Sequence, residues 1–158
     1  MYTGNYLLER RQYIAAPLDE VFSFFEQAEN LARITPDWFH FRIQSPTPIQ
    51  MAYNTEIEYT INWLGFPVRW KTRITDYDPP FKFVDEQIDG PYTIWIHLHT
   101  FEPNEHGVLM TDRVTYRLPF GPVGRLTHRL LVQKQLERIF DYRRNAVNRI
   151  LNGRWRDN

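Results

Sequence analysis

The stretch GPYTIWIHLHTF, Gly90 to Phe101, opens as a turn and continues as an alternation. Trp95, His97, His99 and Phe101 share one parity; Ile94, Ile96, Leu98 and Thr100 share the other. Period-two patterning of this kind marks a strand with two chemically different faces. One face is aliphatic. The other carries an indole, two imidazoles and a phenyl ring. The orientation of this strand decides what the interior of the fold contains.

The flanking stretches are easier to orient, because charge marks the wet face. In Val68–Thr75, Arg69, Lys71, Arg73 and Thr75 face water, which turns Trp70 and Thr72 inward. In Thr55–Trp63, Glu56 and Glu58 face out, leaving Ile57, Tyr59, Ile61 and Trp63 inside. In Val108–Leu118, Arg113 and Arg117 face out, so Met110, Val114 and Tyr116 face in, and Asp112 with them. In Lys82–Ile88 the better inward set is Phe83, Asp85 and Gln87. Either face of the opening strand would satisfy hydrophobicity alone.

Beyond these strands, Tyr6–Ala15 reads as a strand and Ala16-Pro17 as a helix start, with Asp19 and Glu20 placed to suit the dipole. A second short helix spans about Asn30–Ile34, and a further strand about Phe39–Gln44. Turn signals at Gly65, Asp78-Pro79-Pro80, Asp89-Gly90-Pro91 and Asn104–Gly107 separate the strands, and connections this short imply antiparallel neighbours. A long helix from about Val123 to Leu151 closes the chain, with Gly153 just past it. Nothing suggests a linker or a repeat, so residues 1–158 are expected to form one domain.

The totals agree with a globular protein. Of 158 residues, 42% are hydrophobic and 16% aromatic, the latter high enough to suggest a cavity wall as well as a core. There is no cysteine, hence neither a disulfide framework nor a thiolate metal site. No apolar run approaches the roughly 18 residues of a membrane span, and the N-terminus lacks the apolar segment of a signal peptide. A cytoplasmic protein without stable membrane insertion is the expectation. Net charge is zero, but from Arg125 onward nine Lys/Arg face three Asp/Glu. A solvated basic helix face accounts for that, and nucleic acid is not expected as a partner.

The segments IAAPLDEVFSFF, ITPDWFHFRI, GFPVRWKTRI, PPFKFVDEQIDGPYTIWIHLHTF, TDRVTYRLPFG and IFDYR together resemble the helix-grip superfamily of START lipid-transfer domains, the birch-pollen-allergen family and polyketide cyclases. The similarity is to the bacterial polyketide cyclase/dehydrase-like branch, also called SRPBCC, and it covers nearly the whole chain. Asn54 stands where that branch usually has a turn glycine, and Val108-Leu109 replace its usual glycine-threonine pair. The resemblance implies an α+β fold: a curved seven-stranded antiparallel sheet around a long C-terminal helix, with two short helices after the first strand. It also implies a cavity between sheet and helix for an apolar small molecule. It places the Trp95, His97, His99 and Phe101 face inward, and leaves Ile94, Ile96 and Leu98 as a candidate homodimer contact.

With that orientation, strand adjacency brings His97 and His99 between Asp85 with Gln87 on one side and Asp112 on the other. Buried carboxylates are costly unless paired. Three uses stay open: mutual satisfaction that fixes strand register, orientation of a ligand, or proton transfer in a cyclase or dehydratase reaction. A His-x-His metal site lacks a dense third- and fourth-ligand motif, and no cofactor or catalytic signature is present. The candidate ligand-binding residues are therefore Tyr59, Trp70, Thr72, Asp85, Gln87 and Tyr92, with Trp95, His97, His99, Asp112, Tyr116, Phe120 and Leu126. Tyr92, Phe120 and Leu126 belong to apolar loops around Gly65, Gly90 and Leu118–Pro122, which gather at one end of the sheet and suggest either a plug or a gate. Arg143 falls within the apolar stripe Leu136, Ile139, Phe140, Val147 and Ile150, and reads as a structural arginine.

Overall fold

In a computed structural model, residues 4–152 are described. The order is β1 (Tyr6–Ile14), α1 (Leu18–Glu26), 3₁₀ turns at Ala28–Ile34 and Asp37–Phe39, then β2 (Arg42–Ile43) and β3 (Glu56–Trp63). β4 (Phe66–Asp78), β5 (Lys82–Asp89), β6 (Ile94–Asn104) and β7 (Gly107–Arg117) follow, then α2 (Gly121–Thr127), a π turn (His128–Val132) and α3 (Gln133–Leu151). Gly153 lies outside the described residues.

All seven strands form one antiparallel sheet in the order β1-β7-β6-β5-β4-β3-β2. The terminal strand β1 turns back onto β7, and four consecutive hairpins carry the sheet from β3 to β7. Two register irregularities between β4 and β5, near Thr72 and Ile74, give the bend that a sheet needs to curl around a helix. Asn54 takes the left-handed conformation, φ 70°, so the turn needs no glycine. Gly107 cannot be replaced so easily: a Cβ there would stand 2.2 Å from the Ile14 carbonyl oxygen.

Two expectations about elements change. The strand expected at Phe39–Gln44 shrinks to Arg42–Ile43, which pair only with Thr60 and Tyr59. Asp37–Phe39 instead continue the helical turn after Pro36 and end at His40 in a left-handed conformation, φ 49°. That reversal leaves too few residues for a longer ladder. The C-terminal helix forms as expected but contains the π turn His128–Val132.

The interior divides into two apolar clusters. One joins β1, α1 and the far ends of β5 to β7 through Ile14, Val21, Phe22, Phe83, Phe101 and Val147. The other fills the opposite end with Ile61, Trp70, Tyr92, Trp95, Tyr116, Leu136 and Phe140. Trp95, His97, His99 and Phe101 are all buried, so the ring-bearing face of β6 looks inward. The aliphatic face, Ile94, Ile96 and Leu98, looks outward and is half-buried.

Candidate functional site

Between the clusters a cavity opens against the concave face of the sheet. It measures about 130 Å³, the volume of about four water molecules at ~30 Å³ each. The sheet contributes Tyr59, Trp70, Thr72, Asp85, Trp95, His97 and His99, all expected from the sequence. The opposite wall comes from Phe24, Phe25, Leu31, Thr35, Phe39 and Phe41 of α1 and the 3₁₀ segment, together with Ile139, Phe140 and Arg143 of α3.

Six expected residues lie elsewhere. Gln87 turns its amide onto the backbone of Tyr92, at 2.7 and 3.1 Å, and so closes the hairpin instead of lining the cavity. Tyr92 packs edge-on against Trp70 and Tyr116 and takes a hydrogen bond from the Trp63 indole. The Tyr116 hydroxyl is tied to His128 Nε2 at 2.7 Å. Asp112 sits behind the imidazoles and does not reach the cavity wall. Phe120 and Leu126 are exposed at the aromatic end, which the ring cluster seals. The apolar loops around Gly65, Gly90 and Leu118–Pro122 thus plug and flank the core; none of them contributes to the cavity. The wall of short helices is hard to read from sequence because 3₁₀ runs of one or two turns are too short to show a hydrophobic period.

The polar wall is a closed His–Asp array. In the ladder Asp85 stands opposite His97, and Asp112 opposite His99. The short hydrogen bonds run diagonally instead: His99 Nε2 to Asp85 Oδ2 at 2.7 Å, and His97 Nε2 to Asp112 Oδ1 at 2.7 Å. The direct pairs are looser: His97 Nδ1 lies 3.8 Å from Asp85 Oδ2. His99 Nδ1 lies 3.0 Å from Asp112 Oδ1, but too skewed for a hydrogen bond. The rings stack on one another with centroids 3.7 Å apart, and His99 stacks on Phe83 at 4.2 Å.

Burial and charge set the protonation of this array. Burial raises both carboxylates, but their imidazole partners outweigh it and hold Asp85 and Asp112 below the ordinary range. Burial, helped by the charge of His99, pushes His97 down. Burial acts on His99 in the same sense, yet Asp112 and Asp85 together raise it. Burial, reinforced by the Asp85 charge, pushes the Tyr59 phenol well up, so it stays a neutral hydroxyl in the cavity.

Arg143 is the residue whose role the sequence concealed. It lines the cavity, its guanidinium 4.8 Å from the Phe140 ring centroid. Its Nε is buried without a hydrogen-bond partner, and no carboxylate of the described residues lies within ion-pair distance. Its place on the apolar stripe was the available signal, because a cation there must face either the sheet or a cavity.

Residues 14–156 match the family described as polyketide cyclase / dehydrase and lipid transport. No functionally curated protein matches the sequence. Among solved structures, the Zhui aromatase/cyclase from Streptomyces sp. R1128 superposes with a TM-score of 0.71 at 15% identity, over 90% of this chain and 91% of that one. A START superfamily protein from Mycobacterium smegmatis gives 0.66 at 14% identity, covering 91% and 98%. A norcoclaurine synthase point mutant from Thalictrum flavum, in complex with a transition state analogue, gives 0.64 at 15%, covering 92% and 95%. At these identities the likeness is one of fold.

Proposed function

The chain belongs to the polyketide cyclase / dehydrase and lipid transport family, and from that premise we propose that it binds a compact hydrophobic small molecule in the cavity between sheet and α3. The observation that carries this is a cavity walled by aromatic and aliphatic side chains, with a few convergent polar groups at one side. At about 130 Å³ the cavity is smaller than the roughly 300 Å³ at which drug-sized sites begin and close to the ~150 Å³ that admits a benzene ring. That favours a ring system or short isoprenoid- or polyketide-like molecule over a two-chain lipid. Trp70, Trp95, Ile139 and Phe140 would hold its body. Arg143, Tyr59 and the imidazoles would take its polar end, and an ionised oxygen at Arg143 would supply the partner that the guanidinium lacks.

The test uses organic extraction and native mass spectrometry of purified protein, and then titration with 1-anilinonaphthalene-8-sulfonate, an aromatic anion. One dye should bind per chain. Ala28→Phe, which intrudes on the cavity wall, should abolish binding, and Arg143→Leu should weaken it about tenfold, as loss of one charge-assisted contact does. Binding indifferent to both substitutions, with no extractable ligand, would refute the proposal. A ligand returned chemically altered would instead favour an aromatase/cyclase or dehydratase-type enzyme in the same cavity.

A further inference from the structure

The four residues of the His–Asp array are not equivalent, and the difference has the form of a metal centre. His97, His99 and Asp85 line the cavity, while Asp112 lies behind them. One ligand atom from each of Asp85, His97 and His99 lies within 4.8 Å of the others. On the Asp85 side, His99 Nε2 and His97 Nδ1 stand 2.7 and 3.8 Å from the same oxygen, Oδ2. A transition ion bound at about 2.0–2.1 Å needs ligand atoms roughly 2.9–3.4 Å apart. The two measured edges lie on either side of that interval, and the ligand atoms of all three residues stay within 4.8 Å of one another.

The other nitrogens provide the second, independent observation. His97 Nε2 and His99 Nδ1 both approach Asp112 Oδ1, at 2.7 and 3.0 Å. A ligating histidine characteristically turns its remote N–H onto a carboxylate, which fixes its tautomer and ring plane. Asp112 does this for His97, through the 2.7 Å hydrogen bond to its Nε2; His99 Nδ1 lies 3.0 Å from the same oxygen without hydrogen-bond alignment, and the opposite nitrogen of each ring faces Asp85. When both imidazoles are neutral, as ligation requires, the two carboxylates leave a buried negative charge. Arg143, the one cationic side chain along the cavity wall, offsets only part of it.

We propose that Asp85, His97 and His99 form a facial site for one divalent first-row transition ion, oriented by Asp112 and open to the cavity. Two imidazoles and one carboxylate with vacant positions suit Fe²⁺, Co²⁺ or Zn²⁺. Those vacant positions would face whatever small molecule the cavity holds. The site goes beyond the binding reading above and does not depend on it, since metal uptake can be measured without any organic ligand.

The experiment starts from untagged, chelator-treated protein titrated with Co²⁺ and followed by NMR of the histidine ring protons. One ion per chain should bind, and it should erase the His97 and His99 signals while those of the exposed His40 and His106 persist. Zn²⁺ affinity, measured calorimetrically, should fall 10–100-fold in Asp112→Asn and be lost in His99→Phe, a ring swap that can keep the stack on Phe83. The wild-type spectra decide even if a variant fails to fold. Uptake below one ion per chain at millimolar Co²⁺, or broadening centred on His40 or His106, would overturn the proposal, as would a Zn²⁺ affinity that both substitutions leave unchanged.

Discussion

His97 and His99 stand two positions apart on one strand and share both carboxylates, yet burial and charge drive their protonation in opposite directions. In chelator-treated protein, His99 should titrate above the ordinary value of about 6.5 and His97 below it. Ring-proton titration by NMR checks this; a common midpoint would mean that the array holds neither proton selectively. The consequences for stability follow from the signs. His99 contributes fully below its unfolded pKa and loses that contribution as pH rises through its raised folded value. His97 does the reverse, costing stability as acid forces a proton onto a buried ring. The two act in adjacent windows: His97 makes stability rise with pH up to about 6.5, His99 makes it fall above that, and the midpoint of unfolding should therefore pass through a shallow maximum near that pH on their account. Asp85 and Asp112 are held low, so their contribution is present above about pH 4 and fades as pH falls below it. Asp112→Asn should therefore cost about 3 kcal/mol at neutral pH, the usual loss when a buried ionic partner is removed. The deficit should shrink toward pH 3, where the native carboxylate begins to lose its own advantage. A deficit constant across that range in urea titrations would show that Asp112 acts by shape alone.

At the scale of elements, the short helical segment lines the cavity and the hairpin loops do not, so access should be controlled by the former. Leu31 of the Ala28–Ile34 turn lines the cavity, whereas Phe66 and Phe120 are 69% and 80% exposed at the sealed end. Leu31→Ala should accelerate dye release severalfold in stopped-flow experiments. Phe66→Ser and Phe120→Ser should change neither release nor thermal stability appreciably. Faster release from the loop variants, with Leu31→Ala silent, would move the entrance back to the hairpin end. The contrast also separates what sequence can convey from what it cannot. β3, β4 and β7 were oriented correctly because Glu56, Arg69, Lys71, Arg73 and Arg113 can only face water, and strand parity then determines every partner. The His–Asp array followed from parity and adjacency. Its diagonal bonding did not, because that depends on rotamers and sheet twist. Tyr92, Phe120 and Leu126 enter the candidate site because their apolar side chains gather at one end of the sheet. That gathering does not distinguish a side chain that seals a core from one that lines a cavity. Arg143 was seen on the correct helical stripe, but the stripe does not reveal that the space opposite is empty.

For the whole molecule, the cavity is the gap between two apolar clusters, one built around Phe22, Phe83 and Phe101, the other around Trp70, Tyr92 and Trp95. Each cluster is internally well packed: Phe22 meets Phe83 and Phe101 edge-on, and Trp70 meets Trp95 at 89°. The side chains along the gap lack partners on one side and forgo dispersion contacts there. A molecule that fills the gap adds contacts to both clusters at once and needs no rearrangement of the sheet. At 100 times its dissociation constant it should stabilise the native state by about 2.7 kcal/mol, raising the melting temperature by roughly 5–10 °C for a chain of this size. The slope of the urea transition reports the surface exposed on unfolding, and a preformed cavity leaves that nearly unchanged. Saturating 1-anilinonaphthalene-8-sulfonate should accordingly shift the urea midpoint upward and leave the slope as it was. The same dye also binds loosened, partly folded states, and there it would lower the midpoint and flatten the transition. A downward shift would mean that the two clusters separate to admit the dye, and that the gap between them is not a preformed binding site.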